Sequence, residues 1–195
     1  VQKVLTVKPD LRPPDIVLVN DAEPQEIDHI RSLPALKTVK FIKGDYIDEK
    51  VLARAGIKTA GTALLLADSS RRFSLEEVDS RTVMAAITID AMNKNIYTCA
   101  EVIDVKFEKY LKLANCDEII RSREYSRELL ANAASASGIS HIASELLDPE
   151  RRGLTTVDFR SGFVGKPFRE LQEHYRQARG DIVIGLLENT GKIYL

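Results

Sequence analysis

The 195-residue chain has 44% apolar and 29% charged residues and a formal net charge of −1. That length fits one domain with a small appendage around a sizeable core, and the near-neutral, locally mixed charge excludes nucleic acid as a main partner. Cys99 and Cys116 are the only cysteines, which argues against a disulfide framework or a zinc site and suits a reduced interior. No run reaches the roughly 18 apolar residues of a membrane span, and no signal-peptide pattern opens the chain, so a soluble, cytosolic piece is expected.

In chain order, residues 2–7 read as the tail of a helix, and strand-length apolar runs follow at 15–20, 38–42, 62–67, 96–102 and 117–120. Helical patterning fills the intervals at 24–32, 47–55, 75–92 and 105–114. Continuous apolar runs between helices predict strands covered on both faces, and repeated strand–helix units predict an α/β fold with a doubly wound parallel sheet. The 75–92 helix carries its own start signal, Ser74 as N-cap with Glu77 three residues on. Its second half is apolar nearly all round, which predicts burial on more than one side, in the core or against a partner.

From Arg123 the pattern changes to two helices broken near Gly138, with Leu129, Leu130, Ile139, Ile142, Leu146 and Leu147 as apolar surface. They form either a dimerisation arm or a pair packed on the chain's own sheet. Residues 148–153 read as a linker. Beyond them a strand at 154–160, a helix at 167–178 and a terminal hairpin of 181–187 with 192–195, turning at Asn189-Thr190-Gly191, make a small α+β lobe. Three segments result: 1–122 as the α/β lobe, 123–148 as the helical arm and 149–195 as a partial C-terminal subdomain.

Ligands of open parallel sheets sit outside the carboxyl ends of the strands. Asp21, Asp45 (after Gly44), Asp68 and Glu101 all fall at or just beyond that edge. Acids there accept ribose hydroxyls or coordinate a hard cation, or they simply cap the following helix. The strand–G-x-G-x-x-G–helix turn of dinucleotide folds is absent from the chain, which places the first strand and its glycine turn upstream of residue 1. His29, His141 and His174 are scattered, and no nucleophile elbow, zinc motif or P-loop occurs, so no enzyme is expected.

Asp79 stands out because it shares a helical face with Leu75, Val83 and Ala86. A carboxylate there must be protonated, hydrogen-bonded or bound to a cation. Two readings stay open. Asp79 pairs with Arg81 or a backbone amide near the helix start, or it joins Glu101, and Asp104 with it, around a hard cation such as Ca²⁺, Mg²⁺ or Na⁺.

The segments FIKGDYIDEKVLARAGIKTAGTALLLAD, EEVDSRTVMAAITIDAMNKNIYTCAEVID and YLKLANCDEII together resemble the RCK (KTN) domain, a regulator of K⁺ conductance in channels and transporters. The resemblance spans about residues 15–148, and ELLANAASASGISHIASELL is similar to the family's helix–turn–helix arm. It implies a Rossmann-like sheet, a homodimer through the arm, assembly into a gating ring, and attachment to the pore domain of a K⁺ channel at the cytoplasmic face of the membrane. Cation-sensing members carry acids at the positions of Asp79 and Glu101, which implies a Ca²⁺ site there with Asp104 as a further candidate. Ile103 stands where some Ca²⁺-binding members have a second acid. Nucleotide-binding members use the glycine turn, an acid at the position of Asp21, and contacts near Gly44, Asp45 and Asp68. NAD or an adenine nucleotide, in a regulatory subunit of a K⁺ transporter, is therefore the alternative ligand.

Overall fold

Parallel pairing of short apolar strands organises the first part of the chain. The computed structural model describes residues 1–8, 10–68, 73–148, 153–188 and 192–195. They fall into two compact units, Val1–Leu154 and Thr155–Leu195. In the first unit β1 (Val17–Asn20) pairs in parallel with β2 (Lys40–Lys43), Asn20 lying opposite Lys43. β3 (Thr62–Leu65), β4 (Tyr97–Val102) and β5 (Glu118–Arg121) form a second parallel ladder in that order. These pairings match positions 3-2 and 4-5-6 of a doubly wound sheet. The sheet is expected as one; among the described residues it is two ladders, with no pairing between β1 and β3.

The crossovers are α2 (Pro24–Ser32), α3 (Glu49–Arg54), α4 (Leu75–Met92) and α5 (Glu108–Leu113), with the short helix α1 (Gln2–Val7) before β1. α3 packs on both β2 and α4, so helix contacts join the two ladders. α4 starts where Ser74 accepts the Glu77 amide at 3.2 Å. Its other end is tied down by Asn93, whose side-chain amide donates to the Ile57 and Ala60 carbonyls at 2.9 and 3.0 Å.

The core lies between α4 and the second ladder. Ala63 and Leu65 of β3, and Ala100 and Val102 of β4, pack with Ala85, Ala86 and Ile89 of α4 and Leu111 of α5. Ala85, Ala86 and Ala100 are at most 1% exposed; their small side chains let helix and strand approach closely, which larger residues would prevent. The opposite strand face differs from the expectation that both are covered: Leu64, Leu66 and Tyr97 are exposed. α4 leaves Met84 and Ile87 exposed within the chain, the side that the expectation allows for a partner. The uncovered strand face follows from the two-residue side-chain period, which lets one packed layer cover only one face of each strand.

α6 (Ser122–Ser135) and α7 (Ile139–Leu147) form the helical pair, joined through Gly138, whose φ of +92° lies in the left-handed region that glycine tolerates. Neither helix buries a residue; Leu130, Ile142 and Leu147 are exposed. α1 flanks the pair, with Lys3 and Val7 beside Leu129 and Leu147.

In the second unit, α8 (Phe168–Arg179) follows Pro167 and buries Leu171 and Tyr175. The strand expected at 154–160 is absent, and the hairpin contracts to Leu186–Leu187 against Ile193–Tyr194. An isolated hairpin buries too little to extend itself, and 155–160 has no partner strand among the described residues. The expected turn at 189–191 and most of the expected linker, 149–152, lie outside the described residues.

Cys116, just before β5, is buried and donates its thiol to the carbonyls of Thr98 and Glu118 at 3.3 and 3.2 Å. Burial pushes the thiol from its ordinary 9.0 up to about 11. Because the folded value is raised, its stabilising effect is complete below 9.0 and disappears as pH climbs through about 11. Urea unfolding across that interval is expected to show a steeper loss of stability for the wild type than for Cys116→Val, which has no thiol to ionise.

Candidate functional site

Asp79 occupies the second turn of α4 and is fully buried. Its two carboxylate oxygens each accept a backbone amide, from Ile103 at 2.9 Å and from Asp104 at 2.8 Å. The amide partners lie just past the end of β4, so α4 grips the next strand's exit rather than its own first turn. Arg81 is not the partner. Burial is the main influence raising the Asp79 carboxyl above its ordinary range; the two amides pull it down, while the nearby charges of Asp104 and Glu101 raise it further.

Glu101 and Asp104 flank that grip. Glu101, half-buried near the end of β4, accepts the Ala67 amide at 3.1 Å, linking the ends of β3 and β4. Asp104 accepts the Lys106 amide at 3.0 Å, and its side chain lies 3.2 Å from the Lys106 ammonium, which also binds Glu76. These contacts hold the Asp104 carboxyl below the usual carboxylate range, the Lys106 amide having the largest effect.

Gly44, Asp45, Asp21 and Asp68 follow the ends of β2, β1 and β3. Gly44 has φ +156°, and a Cβ there would lie 2.7 Å from a Val51 methyl carbon, so close packing on α3 requires glycine. Asp45 accepts the Ile47 amide at 3.1 Å and pairs with Arg81 of α4 at 2.7 Å. The helix cap of α3 falls instead to Asp48, which accepts the Lys50 and Val51 amides. Asp21 is exposed and Asp68 half-buried.

Arg81 is the residue that sequence reasoning undervalued. Its guanidinium pairs with Asp45 and lies 5.3 and 5.2 Å from the ring centres of Tyr46 and Phe73. This clamp ties α4 to the exit of β2 and so connects the two ladders at their carboxyl ends. Tyr46 is remote from it in sequence and Phe73 lies just before α4, and only their aromatic character hinted at a cation-binding pair.

At this edge the donors are carboxylate oxygens, which select a hard cation over a transition metal. Each Asp79 oxygen accepts one amide and retains a further lone pair. Among the described residues no three His, Cys, Asp or Glu side chains converge as a preformed metal cluster.

Residues 6–100 match the model of the calcium-activated potassium channel slowpoke-like RCK domain. This stretch, just under half of the chain, is similar to an RCK domain. The calcium-gated potassium channel TvoK of Thermoplasma volcanium is 28% identical over 105 residues, 53% of this chain and 30% of that protein. The putative potassium channel protein YugO of Bacillus subtilis is 28% identical over 98 residues, 50% of this chain and 29% of that protein. The match therefore spans less than a third of each of these relatives. In structure, the chain resembles the human SLO3 gating ring with a TM-score of 0.68 and 14% identity, over 100% of this chain and 39% of that one. That likeness is one of fold.

Asp79→Asn keeps the size of the side chain but turns one amide-accepting oxygen into an N–H donor facing an N–H. It is expected to lower the unfolding free energy by about 1–3 kcal/mol, the cost of leaving a buried donor unmade, with near-native circular dichroism; chemical denaturation checks the value.

Proposed function

We propose that this chain is an RCK domain, the ligand-sensing regulatory part of a potassium channel, placed at the cytoplasmic face of the membrane and acting by binding rather than catalysis. One observation carries the reading: a fully buried carboxylate, Asp79, fixes the turn after β4 while two further acids, Glu101 and Asp104, stand within electrostatic reach. The calcium gating named for TvoK supports the choice of Ca²⁺ as ligand. No described helix is long and apolar enough to cross a membrane, so the pore would be formed by other segments.

Asp79 and Glu101 would hold the cation, which supplies positive charge between two carboxylates that otherwise repel each other. Asp104 would join when Lys106 shifts its weight to Glu76, the other acid it already binds. The turn that Asp79 grips leads through α5 and β5 to α6, and α6 also packs on β4. Cation binding would thereby bias the position of α6 and α7, whose exposed Leu130, Ile142 and Leu147 suit pairing with a second copy. Pairs of this kind would assemble into a gating ring, and the ring would respond only by as much as the cation prefers one of its states. A nucleotide is the less favoured ligand, since the Asp45 carboxylate already holds Arg81 and the Ile47 amide.

Calorimetric titration of the chain with Ca²⁺ tests the proposal. The wild type is expected to bind with saturable heat, Asp79→Ala to lose it, and Glu101→Gln, which leaves the Asp79 grip intact, to bind about tenfold or more weakly, equivalent to about 1.4 kcal/mol. Equal heats for all three proteins would sink the site.

A further inference from the structure

A cavity of about 230 Å³ opens at the base of α6, between the start of α4, the turn after β4 and the first two turns of α6. Its wall carries two arginines, Arg123 and Arg127, and two acids, Asp104 and Glu124. Glu124 is paired with Arg121 at 2.8 Å, and Asp104 and Glu76 share Lys106. Arg123 lies near enough to Asp104 to favour its ionised form, and Arg127 makes no ion pair among the described residues. The two wall carboxylates are thus already engaged, by Lys106 and Arg121, while neither Arg123 nor Arg127 forms an ion pair among the described residues. Being four residues apart on α6, Arg123 and Arg127 project from one helical face. Apart from Asp104 and Glu124 the rest of the wall is apolar, with Leu75 and Val105 45% and 51% exposed.

We propose that this cavity binds a small organic anion, its carboxylate or phosphate group held by the Arg123 and Arg127 guanidiniums and its apolar part resting on Leu75, Ile103 and Val105. Guanidinium forks match a pair of oxygens on either group and form short, charge-assisted hydrogen bonds to them. The N-terminal end of the α6 dipole adds a favourable field for negative charge. The cavity shares Ile103 and Asp104 with the turn gripped by Asp79, so an anion here would act on that turn from the side of the helical pair. The site nevertheless stands independently of the cation reading, because none of its anion-binding groups is a carboxylate.

The test is a ¹⁵N–¹H NMR titration of the chain in chelator-containing buffer, which removes cation binding from the outcome, with acetate, hexanoate and inorganic phosphate as probes. The expected result is saturable shifts at the amides of Ile103, Val105, Arg123 and Arg127. A carboxylate ligand is marked by hexanoate binding tighter than acetate, and a phosphate ligand by saturation with phosphate; either supports the anion site. The double variant Arg123→Gln/Arg127→Gln is expected to weaken binding about tenfold or more, and Arg127→Lys, which keeps the charge but loses the fork, to fall between. Saturation by none of the three probes, or unchanged affinity in the double glutamine variant, overturns the proposal.

Discussion

The grip of Asp79 on the Ile103 and Asp104 amides is the constraint around which the carboxyl edge of the strands is built. A carboxylate in the second turn of a buried helix is costly unless its oxygens are satisfied. Here the donors are two consecutive backbone N–H groups, so the cost is offset by fixing the chain as it leaves β4. That fixation sets where Glu101 ends its strand and where Asp104 begins the next turn. It also forms one wall of the cavity at the foot of α6.

A second clamp complements the first. Arg81, two residues further along α4, reaches Asp45 and the rings of Tyr46 and Phe73. α4 therefore holds the exits of β4 and β2 from one helix, on the side where a parallel sheet presents its ligand edge. With the helix C-terminus pinned by Asn93 to the Ile57 and Ala60 carbonyls, α4 is restrained at both ends. A rigid helix bearing buried polar groups at one end is suited to converting a small change of charge into a displacement of its neighbours, since packed interiors transmit strain rather than absorb it.

Much of this was legible in residue order. The limits of α2 and α4 follow directly from Pro24 and from the Ser74 cap, because local signals at helix starts do not depend on distant partners. Asp79 was conspicuous for being charged on an apolar face. The identity of its partners was not legible, since Ile103 and Asp104 contribute amides, and any residue but proline carries one. Arg81 was read as a candidate partner of Asp79, whereas its partner is Asp45, 36 residues away. The small C-terminal unit was read too generously, because 154–160 has strand composition yet finds no partner within the described residues, and a strand exists only by virtue of its neighbour.

The sequence by itself determined the alternation of strands and helices, the parallel pairing this implies, the strand-end acids and the family they resemble. These rest on local period, caps and apolar runs, which the chain carries wherever it folds. Only the tertiary structure decided which face of each strand is covered, that Asp79 holds amides and Arg81 holds Asp45, and that two arginines of α6 share a cavity with the turn after β4. Those outcomes depend on groups brought together from 24 to 36 residues apart, and hydrogen bonding and charge pairing act over a few ångströms of space, irrespective of distance along the chain.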